Sequence, residues 1–171
     1  MNSLLIVLDS KKSLILSFLG ILICLTCFFL LEKRLGTQIL DVLPSYDLDL
    51  IQRSFLIYGE NGRVLYAWTS LTLDLLFPIS YVTFSIGLIL FLVGNSFFRW
   101  LVILPCLVGM VDLIENIQIS MMLNQYPDLS AVQVEFANNT TMLKHFLAKV
   151  LYSSILFLAI LKLGKKVLNS I

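Results

Sequence analysis

The chain has 171 residues, of which 58% are hydrophobic and 13% charged, with a mean hydropathy of +0.93. Soluble globular domains are about 45–50% apolar and about 25% charged, so a water-soluble fold is excluded and one membrane-embedded unit over residues 1–171 is expected. A net charge of +1 without any long basic run excludes a polyanion-binding surface, and nucleic acid with it.

Four stretches reach the roughly 20 apolar residues needed to cross about 30 Å of hydrocarbon: residues 13–31, 71–94, 97–123 and 141–162. The first follows Lys11-Lys12 and resembles a secretory signal. Its apolar run is too long and no small-residue cleavage site follows, so a retained span is expected. Ser13, Ser17, Gly20 and Cys24 give it one small-residue face, suited to close helix packing. Cys24-x-x-Cys27 has redox-motif spacing, but it lies inside the span and only Cys106 remains to exchange with it. Buried, inert thiols are the expectation.

In the first loop, Leu48, Ile51, Phe55 and Tyr58 recur at helical spacing with Asp49, Gln52 and Arg53 between them. An amphipathic helix over 47–58 is predicted, capped by Asp47 and ended by Gly59, lying along the interface or folded over the bundle. A turn over 59–62 then starts a long helix leading into the second span, with Asn61 as its cap. Pro78 removes the hydrogen bond to the Asp74 carbonyl and is expected to kink that helix. A short turn, Gly94-Asn95-Ser96, leads into the third span. Ser130 and Gln133 mark a helix start that can run straight into the fourth span, closed by Gly164 and Lys165-Lys166. With no alternating barrel pattern, an all-α, four-helix transmembrane bundle is predicted.

Four spans place both termini on one side, with Lys11, Lys12, Arg99, Lys162, Lys165 and Lys166. The positive-inside rule makes that side cytoplasmic. Two overlapping glycosylation acceptors in Asn138-Asn139-Thr140-Thr141 lie so near the membrane that they are read as coincidental.

Ionisable residues occur inside three spans, where a charge costs roughly 2.5–3.5 kcal/mol and normally faces a partner, a cavity or a ligand. Tyr66, Ser70, Asp74, Tyr81 and Ser85 fall near one face of the second helix. Pro105, Gly109, Asp112, Asn116 and Ser120, with Glu115 beside them, make a similar stripe on the third. On the fourth, Thr141, His145, Lys149 and Tyr152 step by three or four residues, whereas Lys144 points away and is expected to snorkel to the interface. At about 1.5 Å per residue, Asp74, Glu115, Lys144 and Lys149 gather toward the first-loop side, with Asp112 near the midplane.

Residue inventory removes most membrane-enzyme chemistries. A single histidine rules out histidine-box oxygenases, and the zinc-protease, serine-hydrolase and phosphate-loop motifs are missing. Gly109-Met110-Val111-Asp112 lacks the second glycine of the intramembrane aspartyl protease motif. No metal or cofactor is expected; carboxylate proton chemistry stays open, so catalysis is left undecided.

The segments Tyr58-Gly59-Glu60-Asn61-Gly62-Arg63-Val64-Leu65-Tyr66 and Leu73-Asp74-Leu75-Leu76-Phe77-Pro78-Ile79-Ser80-Tyr81 resemble a pattern in small uncharacterised four-span membrane proteins. Val111-Asp112-Leu113-Ile114-Glu115-Asn116 is similar to their third helix. The resemblance covers Tyr46 to the end of the fourth span; it implies the same bundle and transfers no activity. EXPERA-type proteins, which include sterol isomerases and a sterol-binding receptor, are similar in architecture alone. That likeness implies amphiphile binding and assigns no residues.

The function expected is binding of a lipid or small amphiphile in a polar intramembrane pocket. Asp74, Tyr81, Asp112, Glu115 and Asn116 are its candidate contacts, with Lys149, and less directly Lys144, balancing charge. The alternatives are an assembly or stability subunit whose ion pairs lock helices within a homo- or hetero-oligomer, and proton-coupled transport.

Overall fold

A computed structural model describes residues 10–94 and 96–168, apart from the side chains of Lys166 and Leu168. Asn95, in the predicted second turn, lies outside the described residues. The fold is all-helical, with no strand among the described residues and four stretches long and apolar enough to cross a membrane: Lys11–Leu35, Leu48–Val93, Phe97–Gln125 and Ala131–Lys165.

Helix α1 spans Lys11–Leu35. Ser10 caps it by accepting from Ser13 N, and Gly36 closes it in the left-handed conformation (φ 79°), where a residue without Cβ is favoured. A 3-10 turn, Leu40–Val42, follows. Helix α2, Leu48–Ser70, starts where predicted, with Asp47 Oδ1 accepting from Leu50 N at 2.8 Å. Ile51, Phe55 and Tyr58 face inward while Asp49, Gln52 and Arg53 are exposed. Gly59 (φ 66°, ψ 176°) leaves helical geometry without ending the helix, and Arg63 reaches back across that kink to the Phe55 carbonyl at 2.9 Å.

Helix α3, Leu73–Val93, is separated from α2 by a break at Leu71-Thr72, where Thr72 has φ −127° and ψ −75°. The helix was expected to kink at Pro78; α3 runs through Pro78, and the helical stretch is broken earlier, at Leu71-Thr72. The hydroxyls of Thr69 and Thr72 bond back to the carbonyls of Leu65 and Trp68 at 2.8 and 2.7 Å, a local bonding that weakens a helix. Asp74 therefore lies in the first turn of α3. A 3-10 segment, Phe97–Val102, then precedes α4, Ile103–Gln125. Pro105 thus stands in the first turn of α4, where a missing N–H costs nothing. Helix α5 runs without interruption over Ala131–Leu168, started by Ser130 Oγ accepting from Gln133 N at 3.1 Å.

Burial is inverted relative to a soluble protein. Large apolar side chains such as Ile23, Leu56, Trp68, Phe97 and Phe146 are exposed, while Ser70, Asp74, Asp112, Glu115 and Asn116 are buried. The core has three layers. Toward the first loop, Phe28, Leu35, Ile51, Phe55 and Met122 form an apolar cluster. At the other end, Ile89, Leu101, Val108, Leu151 and Leu158 form a second. On α3, α4 and α5 alike, the buried ionisable residues fall between the two.

Small residues allow the close approach. The Ser17 and Cys24 side chains of α1 are buried, and a Cβ at Gly20 would stand 2.6 Å from Ser80 Oγ. The three cysteines are free; Cys24 is buried as expected, Cys27 is half-buried and Cys106 exposed. A Cβ at Gly109 would stand 2.7 Å from Val82 Cγ2, a stiff branched side chain with little room to yield. Gly109→Ala should therefore cost about 1–3 kcal/mol by overpacking. Gly164→Ala, where nothing lies within 4 Å, should leave the detergent-solubilised melting temperature unchanged or slightly raised; equal behaviour of the two variants would contradict the close α3–α4 packing.

Candidate functional site

The inward faces of the end of α2, of α3 and of α4 are those the polar spacing indicated. Tyr66, Ser70, Asp74, Tyr81 and Ser85 are all buried, as are Pro105, Gly109, Asp112, Asn116 and Ser120 with Glu115. Helix α5 is rotated from the expectation. Its buried residues Val134, Ala137, Thr141, Lys144, Leu151 and Leu158 keep the three–four alternation of a packed seam, which carries Lys144 inward. Lys149 and Tyr152 are exposed. Lys144 does not snorkel, and Lys149 does not balance the cluster. It lines an outer groove with Phe146, Val150 and Phe157.

The Lys144 ammonium is the centre of the site. It pairs with Asp41 Oδ1, with Glu115 Oε2 at 2.5 Å and with Asp112 Oδ1 at 3.4 Å. It also donates to the Asp41 carbonyl at 3.2 Å. Three carboxylates are thus matched to one three-donor cation. Oxygens of Asp41, Asp112 and Glu115 lie within 4.8 Å of one another, a spacing a metal ion could use. Here Lys144 supplies the positive charge.

Hydroxyl and amide groups complete the shell. Tyr81 donates to Asp112 Oδ2 at 2.9 Å. Thr141 Oγ1 lies 2.5 Å from Glu115 Oε1 and 3.0 Å from Tyr46 Oη. Its single proton serves the carboxylate, so the Tyr46 hydroxyl donates to Thr141. Burial pushes the Tyr46 phenol up from its ordinary value, keeping that donor protonated. Asn116 Nδ2 donates at 2.8 Å to the Asp74 carbonyl, the acceptor that Pro78 leaves without its helical partner.

Asp41 was missed from the sequence because it lies outside every span. The signal was there: an acid enclosed by Ile39-Leu40 and Val42-Leu43. The segment carrying it is strapped across α5. Tyr46 N donates to Asn138 Oδ1 at 2.8 Å, and His145 Nε2 donates to the Leu43 carbonyl at 3.0 Å. His145 and Asn138 thus hold this strap, and both glycosylation acceptors lie within α5.

Some buried polar atoms stand outside this bonding, among them Glu115 Oε2, which is ion-paired with Lys144 but accepts no hydrogen bond, and atoms of Asp74, Asn116 and Ser70. Asp74 Oδ2, Asn116 Oδ1 and Ser70 Oγ are buried and make no hydrogen bond, and their residues are 2%, 1% and 0% exposed. Ser70 and Asp74 flank the α2–α3 break, Asn116 bonds the Asp74 carbonyl, and Asp74 is in electrostatic reach of Asp41, Asp112, Glu115 and Lys144. No protein-family model, curated protein or solved structure matches the chain.

Removing one partner from a buried ion-pair network leaves charge uncompensated, typically at 3–5 kcal/mol. Lys144→Met should therefore destabilise the solubilised protein by about that amount, read as a lowered melting temperature or loss of monodisperse yield. Lys149→Met, at an exposed position, should stay within about 0.5 kcal/mol. The reverse ranking would restore the face first expected from the sequence.

Proposed function

We propose that this multi-pass membrane protein binds a small amphiphile whose polar head donates hydrogen bonds to the buried acceptors around Asp74. The observation that carries this reading is an excess of acceptors. Four carboxyl groups, those of Asp41, Asp74, Asp112 and Glu115, surround one ammonium, and Asp74 Oδ2 and Asn116 Oδ1 have no donor. A buried polar atom without a partner costs about 1–3 kcal/mol, a cost usually retained where a site needs it. Asp74 and Asn116 contact the head; Lys144 holds Asp112 and Glu115 in place, and Tyr81 orients Asp112. The helical stretch 48–58 lies along the membrane interface on the strap side, its polar Asp49, Gln52 and Arg53 turned outward. Both termini lie on the opposite, cytoplasmic side, following the distribution of Lys and Arg.

A second reading, a helix-locking subunit, is favoured by the closure of the Lys144 triad, whose members are at most 8% exposed. Asp74 separates the two, because it takes no part in that triad's ion pairs. Asp74→Asn keeps the shape and removes one buried, unpaired carboxyl group. It should leave stability, read as the melting temperature, within about 1 kcal/mol of wild type while abolishing copurification of a defined small molecule in native mass spectrometry with lipid analysis. A molecule retained by Asp74→Asn would refute amphiphile binding at this residue. Wild type without any bound molecule would favour the lock.

A further inference from the structure

The amphiphile reading leaves open how a ligand reaches a closed cluster and which head it carries; both follow from the α2–α4 groove. Val64, Ala67, Trp68, Leu71, Ser120 and Asn124 line a cavity of about 180 Å³ on the outer side of these helices. Its walls open sideways through apolar side chains, with Val64 52%, Trp68 68% and Leu71 42% exposed. Two of its lining residues lie near the unpartnered groups along the chain: Leu71 follows Ser70, and Ser120 is one helical turn from Asn116.

We propose that this groove is a lateral entry and tail site for an amphiphilic amine. Its alkyl chain lies between α2 and α4, and its ammonium is delivered to Ser70, Asp74 and Asn116 at the helix break. This proposal rests on the amphiphile reading and deepens it. Three observations converge: a groove with exposed apolar walls, buried acceptors without donors on residues within about one helical turn of its lining along the chain, and a helix interruption at Leu71-Thr72. Irregular backbone at membrane depth is tolerated where it is enclosed by protein or lines a cavity. The head follows from charge. An ammonium gives donors to Asp74 Oδ2 and Asn116 Oδ1 and offsets part of the carboxyl surplus, whereas a carboxylate brings a further negative charge and no donor. A hydroxyl donates but leaves the charge unchanged, so it binds more weakly. The cavity is smaller than the roughly 300–1,000 Å³ that encloses a drug-sized ligand. It holds part of a chain while the remainder continues into the bilayer.

Trp68 reports on the groove directly. The chain contains two tryptophans, and Trp100 lies in the 3-10 segment at the other end of the α3–α4 pair. In a Trp100→Phe background reconstituted in zwitterionic nanodiscs, dibromo-octadecyl chains bearing an amine, an alcohol or a carboxylate are titrated against Trp68 fluorescence. The amine should quench saturably, at least tenfold more tightly than the carboxylate, with the alcohol between them. Asp74→Asn should remove the preference for the amine. Val64→Phe, at an exposed wall position, should weaken saturable quenching tenfold without lowering the melting temperature. Quenching that is linear or equal for all three heads overturns the groove proposal. The amphiphile reading itself then stands only if wild type still copurifies with a molecule that Asp74→Asn loses. Saturable amine quenching that survives Asp74→Asn unchanged overturns the proposed head site.

Discussion

The structure depends on one charge. Lys144 places an ammonium among Asp41, Asp112 and Glu115, joining the first loop, α4 and α5 at a single point. In a soluble protein such a pair competes with well-packed apolar residues and often loses. In a bilayer, helix association has little hydrophobic drive, because lipid tails are as apolar as leucine. Specific polar contacts and close packing must therefore fix which faces meet. The apolar layers on either side of this cluster supply the packing, with Gly20 and Gly109 letting α1 and α4 approach α3.

The strap from Ile39 to Tyr46 gives the cluster its closed outer end. Its backbone is outside regular helix for most of its length and must be satisfied. Asn138, His145 and Lys144 of α5 provide side-chain partners for it, and the Tyr58 hydroxyl donates to the Gln38 carbonyl at 2.6 Å. Ile39 and Leu40 are fully buried at the same time. Asp41 is thereby anchored by the two apolar residues that precede it, which carries a loop carboxylate into ion-pairing reach of Lys144.

Much of this was legible in the sequence, and what was hidden has a physical pattern. Hydropathy located the spans, because each crossing must be built from apolar residues. Steps of three, four and seven identified the inward faces of the α2–α3 stretch, through Tyr66, Ser70, Asp74, Tyr81 and Ser85, and of α4, through Pro105, Gly109, Asp112, Asn116 and Ser120. On α5 the same rule failed. Thr141 belongs to both candidate faces, and the packed seam through Ala137, Lys144, Leu151 and Leu158 turns the other way from His145 and Lys149. Asp41 was hidden because hydropathy gives no weight to an acid outside a span. The Leu71-Thr72 break was hidden because it has neither glycine nor proline. Threonine hydroxyls competing for helix carbonyls are a weaker signal than Pro78.

Pro78 has a different role from the one its chemistry first suggests. The carbonyl it frees belongs to Asp74, and Asn116 reaches across from α4 to satisfy it. One amide donor is thereby committed to backbone, and the amide's oxygen is left facing the interior without a partner. Asp74 Oδ2 is left in the same condition by another cause: the ion pairs of Lys144 go to Asp41, Asp112 and Glu115. The two unsatisfied acceptors are thus consequences of satisfying neighbouring groups. An apolar residue at position 74 would remove one of these acceptors, Asp74 Oδ2, and leave the other, because Asn116 would still serve the backbone carbonyl there. The carboxyl group adds nothing to the Lys144 triad and weakens the bundle around it.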